Sequence, residues 1–174
     1  MSTIQKLNFE PISDVLPIQR KDLSLADKSL AEPSNAQALI DGEWMTVDGS
    51  YKWARAAAIG TPGTAATVRS FPVFFEKGRS DRLGMAERKT TCLFRGEYEF
   101  DTRVYDASAT VGSGAPISSV MQPLKVATIT IGSRNFVGLV GHGGAADTNP
   151  VVGYVTRLPS SNGGKLRFIS GYRS

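Results

Sequence analysis

Apolar residues recur at every second position in one short segment after another, and turn residues end each segment before it reaches helical length. The pattern is sharpest toward the C-terminus. Leu124, Val126, Thr128 and Thr130 alternate with Lys125, Ala127, Ile129 and Ile131, then Gly132-Ser133 turns the chain into Phe136–Val140. Gly141-His142-Gly143-Gly144 opens a loop. Val151–Leu158 and Lys165–Ile169 follow, and Asn162-Gly163 between them predicts a tight hairpin turn. Tyr98, Phe100, Thr102 and Val104 alternate just as cleanly with Glu99, Asp101, Arg103 and Tyr105, after Thr90–Phe94 and an Arg95-Gly96-Glu97 turn.

Upstream the same logic places a strand at Ala38–Ile40 and a hairpin signal at Asp41-Gly42. A strand over Trp44–Val47 and a turn at Asp48-Gly49 come next. Tyr51–Ala57 reads as a strand with Tyr51, Trp53 and Arg55 on one face. Trp44 and Trp53 are then expected as a cross-strand aromatic cluster in the core, with an oligomer contact as the alternative. Val68–Phe75 carries Phe71, Val73 and Phe75 on one face, and Pro72 sends it to an edge or a bulge. Lys77–Arg88 is charged and reads as an exposed loop or short helix. Thr110–Pro123 reads as an exposed loop with one strand near Ile117–Val120.

Residues 1–36 are different. Pro11, Pro17 and Pro33 deny long ladders and helix interiors, and isolated apolar residues stand between them. Ile4, Leu7, Phe9, Ile12, Val15, Leu16 and Ile18 are more apolar anchors than a solubilising tail needs. A short helix over Leu23–Leu30, capped by Asp22 or Ser24, fits the spacing of Leu23, Ala26 and Leu30. The division expected is an extended arm over 1–36 and a β domain over 37–174.

About eight to ten short strands without a long helix make an all-β fold: a small barrel or sandwich of short antiparallel strands with an extended N-terminal arm. Composition agrees, with Gly 18, Pro 9, and 13 Val, 9 Ile and 13 Thr in 174 residues. No stretch approaches the roughly 20 apolar residues that span a bilayer, so no membrane partner is expected. Met1–Glu10 has no long apolar run, so no secretory signal is expected.

The chemistry-bearing residues are sparse. One cysteine, Cys92, excludes an internal disulfide and a Cys-rich zinc site, and one histidine excludes a three-histidine metal centre. Cys92 reads as inert core. His142 reads as a surface or turn residue, with Asp147 as its only nearby co-ligand were it to bind a metal. The glycines around it lack a Walker lysine and do not open a helix, so tight turns explain them. Glu97, Glu99 and Asp101 read as a solvated strand face partly offset by Arg103. The net charge is only +4, and Lys77, Arg79, Arg82, Arg88 and Lys89 are interleaved with Glu76, Asp81 and Glu87. That mixture dilutes a phosphate footprint and suits a charged subunit contact, so no direct nucleic-acid binding is expected. No catalytic residue, cofactor or metal is expected.

Asp41-Gly42-Glu43-Trp44-Met45-Thr46, Tyr51-Lys52-Trp53-Ala54-Arg55-Ala56, Leu124-Lys125-Val126, Gly132, and Val152-Gly153-Tyr154-Val155-Thr156-Arg157 with Leu166-Arg167-Phe168 form a recognisable arrangement. Over residues 37–174 it resembles the head decoration, or cement, proteins of tailed bacteriophages. The resemblance implies a non-enzymatic virion protein, located on the capsid exterior, that bridges neighbouring major capsid protein subunits. Partners implied are the major capsid protein and, in a homotrimer, the chain itself. The arm anchors Ile4, Leu7, Phe9, Ile12, Val15, Leu16 and Ile18, with Lys77, Arg79 and Arg82, are the interface candidates. Alternatives are a tail, baseplate or fibre-associated β-barrel virion protein, a surface- or carbohydrate-binding module, and a hydrolase. Ala107–Pro123 departs from the pattern and leaves the trimer geometry open.

Overall fold

The computed structural model describes residues 10–11, 19–32, 34–74, 89–95, 98–161 and 163–171. The protein is predominantly β. In chain order the strands are β1 Glu10–Pro11, β2 Gln19–Ser24, β3 Trp44–Val47, β4 Trp53–Arg55, β5 Phe71–Pro72, β6 Lys89–Arg95, β7 Glu99–Thr102, β8 Pro123–Ile131, β9 Arg134–Gly141, β10 Gly153–Arg157 and β11 Leu166–Ser170. Among the described residues the helical pieces are two 3-10 turns, Lys28–Ala31 and Gly144–Ala146.

Six strands form one curled antiparallel sheet in the order β1-β7-β11-β10-β8-β9. The long β8–β9 hairpin turns on Gly132, whose φ of +64 suits the first position of a two-residue loop. Leu124 pairs with Gly153 of β10, whereas further along β8 the partner is the 63–66 segment. There Ala66 N donates to Val126 O at 2.8 Å and Gly63 N to Thr128 O at 2.8 Å. Beyond β7 the chain returns to the far side of the sheet. Leu139 N donates to Val104 O at 3.0 Å, and Asp106 N donates to Leu139 O at 3.0 Å.

The remaining strands make two smaller sheets. β3 lies between β4 and β5, and β2 pairs with β6. Phe74 N donates to Thr91 O at 3.0 Å, tying the end of β5 to β6. Ala26 N donates to Trp53 O at 2.9 Å, tying the end of β2 to β4.

Two cores follow from period-two alternation in β3 and β6. In β3, Trp44 joins Phe100, Leu124, Leu139, Val155 and Phe168, while Met45 joins Leu25, Trp53, Phe71 and Val73. In β6, Leu93 faces the first group and Cys92 the second. A third cluster, with Val104, Val111, Ala127, Ile129, Phe136 and Val140, covers the other face of β8–β9. Both faces of that hairpin are therefore covered except at its tip, where Thr130, Arg134 and Asn135 stand. Each buried indole contributes at most about 4–6 kcal/mol by area.

Several expectations are corrected. Ala38–Ile40 is not a strand, and Asp41-Gly42 turns the chain into β3 without a paired strand before it. Trp44 and Trp53 are both core residues but belong to different cores, so they form no cross-strand cluster. Tyr51 lies outside β4 and is exposed, with φ +59 in the hairpin loop. Ile117–Val120 is irregular, although Ile117 itself is buried. The β10–β11 connection spans 158–165 and is longer than a two-residue hairpin loop, but it contains the expected tight turn: Gly164 N donates to Ser161 O at 2.9 Å, with Gly163 at φ +78; Asn162 lies outside the described residues. Leu23–Leu30 is not a helix. β2 ends at Ser24, and Asp27 caps the 3-10 turn by accepting from Ser29 N. Ladder pairing with β6 and burial of Leu25, Leu30 and Ala31 win over weak helix spacing. These residues of the expected arm pack with Met45 and Trp53, so that stretch belongs to the second core.

Candidate functional site: a buried charged clasp

β8 alternates between the first core and the third cluster, and Lys125 falls on the side of Ala127 and Ile129. Its ammonium is consequently fully buried and must find partners inside. Nζ donates to Val111 O at 2.6 Å and lies 2.5 Å from Asp147 Oδ2. Asp147, on the turn after β9, also accepts from Gly143 N at 3.1 Å, Asn149 Nδ2 at 2.7 Å and Asn149 N at 3.2 Å. Burial pushes the Asp147 carboxyl up. The bonds from Lys125, Gly143 and Asn149 together outweigh it and hold the group well below the usual carboxylate range.

His142 completes the cluster: it stands in the turn after β9, as expected of a surface or turn residue, but it is buried and not on the surface. Its backbone N donates to Pro123 O at 2.9 Å. Gly144 N donates to Nδ1 at 3.1 Å, so Nδ1 is the acceptor and Nε2 carries the proton toward Asn149 O at 3.0 Å. Nε2 lies 3.9 Å from Asp147 Oδ1, too far for a hydrogen bond. Both nitrogens are thus committed within the turn, and His142 with Asp147 presents no open ligand pair. Among the described residues no group of three or more His, Cys, Asp or Glu side chains is placed to hold a metal ion.

The glycines here serve close backbone approach. A Cβ on Gly143 would run into the Ser113 carbonyl, and one on Gly141 into the Ala115 carbonyl. On Gly114 a Cβ would sit 2.7 Å from Gly141 O. The 113–115 segment therefore lies directly on 141–143, and only glycine admits the contact. Chemically, the arrangement neutralises two buried charges and straps the 111–115 segment and the 142–149 turn to β8.

Two further ties have the same character. Arg55 Nε donates to Glu43 Oε1 at 2.7 Å, and Glu43 also accepts from Val137 N at 3.2 Å, joining β3 to β9. Desolvation pushes the Glu43 carboxyl up, and Arg55 only partly offsets it. On the first sheet, Asp101 of β7 takes Arg167 Nε from the adjacent β11 at 2.8 Å and Arg157 Nη2 from β10, one strand further, at 3.2 Å. The Arg167 bond outweighs burial and holds Asp101 below its ordinary value. Glu99 accepts from Thr156 Oγ1 at 2.6 Å. Asp101 is therefore buried and paired with Arg157 and Arg167, not solvated and offset by Arg103 as expected. Glu97 lies outside the described residues.

Ile4, Leu7, Phe9, Ile12, Val15, Leu16, Ile18, Lys77, Arg79 and Arg82 also lie outside the described residues. Cys92 is buried in the second core, as expected. Tyr98 and Phe100 are buried and pack edge to face at 4.7 Å, so neither ring is a stacking platform. Lys125 with Asp147 and Glu43 with Arg55 were not singled out by sequence. The available signal was a charge breaking an apolar strand: Lys125 between Leu124 and Val126, and Glu43 just before Trp44. Outward, Val120 and Met121 are exposed on an irregular loop, with Met121 at φ +64. Gln122 stiffens that loop, accepting from Ser118 N at 2.8 Å and donating to Pro116 O at 2.8 Å. No family model, no curated protein and no solved structure matches the chain.

Proposed function

We propose that this chain is a structural protein of a virion that sits on the capsid exterior and stabilises it by bridging neighbouring major capsid protein subunits. The observation that carries this reading is how the buried charges are used. Glu43, Asp101, Lys125 and Asp147 each bind internal partners that fasten loops to sheets or strand to strand. Such a body works through its surfaces, and no catalytic role is assigned to it. It is read as a small barrel, a reading supported by the bonds that join Val104 and Asp106 to Leu139.

The N-terminal segment also supports a bridging role. β1 and β2 run antiparallel along β7 and β6, which is strand addition at the edge of the body. In the proposal, Ile4, Leu7 and Phe9 ahead of β1 are the anchors that reach a neighbouring subunit. Ile12, Val15, Leu16 and Ile18 lie between the two strands in sequence and belong to the same contact. Lys77, Arg79 and Arg82 supply a charged contact, and a homotrimer supplies the repetition. Barrel and arm engaged together raise effective concentration, so individually weak contacts give durable occupancy.

The test is occupancy on expanded capsids from the source of the chain. A variant lacking residues 1–9 keeps β1, β2 and both cores. It is expected to remain folded and to lose occupancy by about tenfold or more, the scale at which a second linked contact acts. Unchanged occupancy contradicts the arm's role. Binding to tails or to glycans in place of capsids would favour the alternatives.

A further inference from the structure

The turn after β9 is held in an unusual way. Its 3-10 segment Gly144–Ala146 has no buried residue, so no apolar anchor fastens it. What holds it is polar: Gly143 N to Asp147 Oδ2 at 3.1 Å, Gly144 N to His142 Nδ1 at 3.1 Å, and Asp147 N to Gly144 O at 3.0 Å. The Gly144 bond requires an unprotonated Nδ1, because a second ring proton would set N–H against N–H.

We propose that the 142–149 turn is an acid-released catch with His142 as its trigger. Two charged groups of the cluster bear on the ring, one directly and the other through the first. Asp147 comes from the turn itself, with Oδ1 3.9 Å from Nε2. Lys125 comes from β8 and is bound to the other oxygen of Asp147. The 107–124 segment, part of which packs over the turn, contributes no charge. Histidine is the side chain that ordinarily gains a proton in mildly acidic solution. When it does so, Nδ1 becomes a donor and the Gly144 tie is lost. Asp147 is already fully engaged and stands beyond hydrogen-bond reach of the ring, so the turn has to open to re-pair the new donor. Opening loosens the 144–146 segment while the Lys125–Asp147 bond and both cores stay intact, because residues 144–146 contribute nothing to them.

The experiment is solution NMR on the full chain, following the His142 ring nitrogens and solvent exchange of the Gly144 amide between about pH 8 and about pH 5. The expected result is one transition seen by both probes. Nδ1 gains a proton while Gly144 protection, corrected for intrinsic exchange, falls roughly tenfold, as loss of one hydrogen bond gives. The His142→Asn variant retains an acceptor near the Nδ1 position and does not titrate, so its Gly144 protection is expected to stay flat. The proposal is overturned if the ring stays neutral across the range, if it titrates without loss of Gly144 protection, or if His142→Asn shows the same loss. Should that variant not fold, coincidence of the two wild-type probes decides the matter alone.

Discussion

Trp44 and Trp53 stand on the two paired strands of one hairpin and point into different cores. Trp44 packs on Phe168 with ring centroids 6.1 Å apart, and Trp53 packs on Phe71 at 5.8 Å. β3 is therefore a wall between two hydrophobic groups, with Trp44 and Met45 on opposite sides. Trp44→Phe and Trp53→Phe are each expected to cost about 1–2 kcal/mol in urea denaturation. The double variant is expected to show the sum within about 0.5 kcal/mol, because the two side chains share no cluster. A larger interaction term would mean that the two indoles share one core.

The Lys125–Asp147 pair is fully buried, so removing one partner strands the other. Lys125→Met is expected to lose about 3–5 kcal/mol, because the Asp147 carboxylate is left without its counter-ion. Lys125→Met combined with Asp147→Asn removes both charges and is expected to be less destabilised than Lys125→Met alone. Denaturant midpoints of the wild type and these two variants check the ordering. A double variant weaker than Lys125→Met alone would contradict it.

Stability is expected to depend on pH in two opposed ways. The Asp147 and Asp101 carboxyls are held below their ordinary values, so the folded state binds fewer protons than the unfolded one. Their contribution is present above the unfolded carboxyl value of about 4 and is lost as pH falls through the folded values. The Glu43 carboxyl is pushed up, so its contribution has the reverse sign: present below about pH 4 and lost as pH rises through its raised folded value. Asp147→Asn is expected to flatten the acid limb, and Glu43→Gln the decline above about pH 4. Urea unfolding across a pH series reads both slopes, and an Asp147→Asn limb as steep as wild type would refute the first assignment.

Two adjacent glycines separate close approach from backbone strain. Gly143→Ala drives a Cβ into the Ser113 carbonyl and is expected to cost about 1–3 kcal/mol while shifting amide resonances of 111–115. Gly144 has φ +76 with open space around it, so Gly144→Ala is expected to cost about 1–2 kcal/mol from the left-handed backbone alone. It is expected to leave 111–115 undisturbed. Equal perturbation of that segment by both substitutions would contradict the packing described.

What was legible in the sequence is what period and turn chemistry encode. β8 and β9 with Gly132 between them, the β3–β4 hairpin over Asp48-Gly49, and the run through β7 all stand where alternation puts them. Less legible was what depends on partners distant in the chain. β2 has the spacing of a weak helix near Leu23, and pairing with β6 overrides it. Trp44 and Trp53 look alike by period, and only the second core, built on residues distant in the chain, tells them apart. His142 looked like a loop residue because the glycines beside it signal turns. Gly144 does turn the chain, at φ +76, but Gly141 and Gly143 admit the 113–115 backbone, and the ring beside them is buried. Lys125 and Asp147 are 22 residues apart, and nothing local in either segment announces the pair.

The most direct measurement is a cryo-EM reconstruction of native particles from the source of the chain. Density for the two-cored β body is expected on the outer surface of the head, at boundaries between major capsid protein subunits, with residues ahead of Glu10 extending onto a neighbour. Density for the body in a tail or baseplate, or particles that lack the chain altogether, would contradict it.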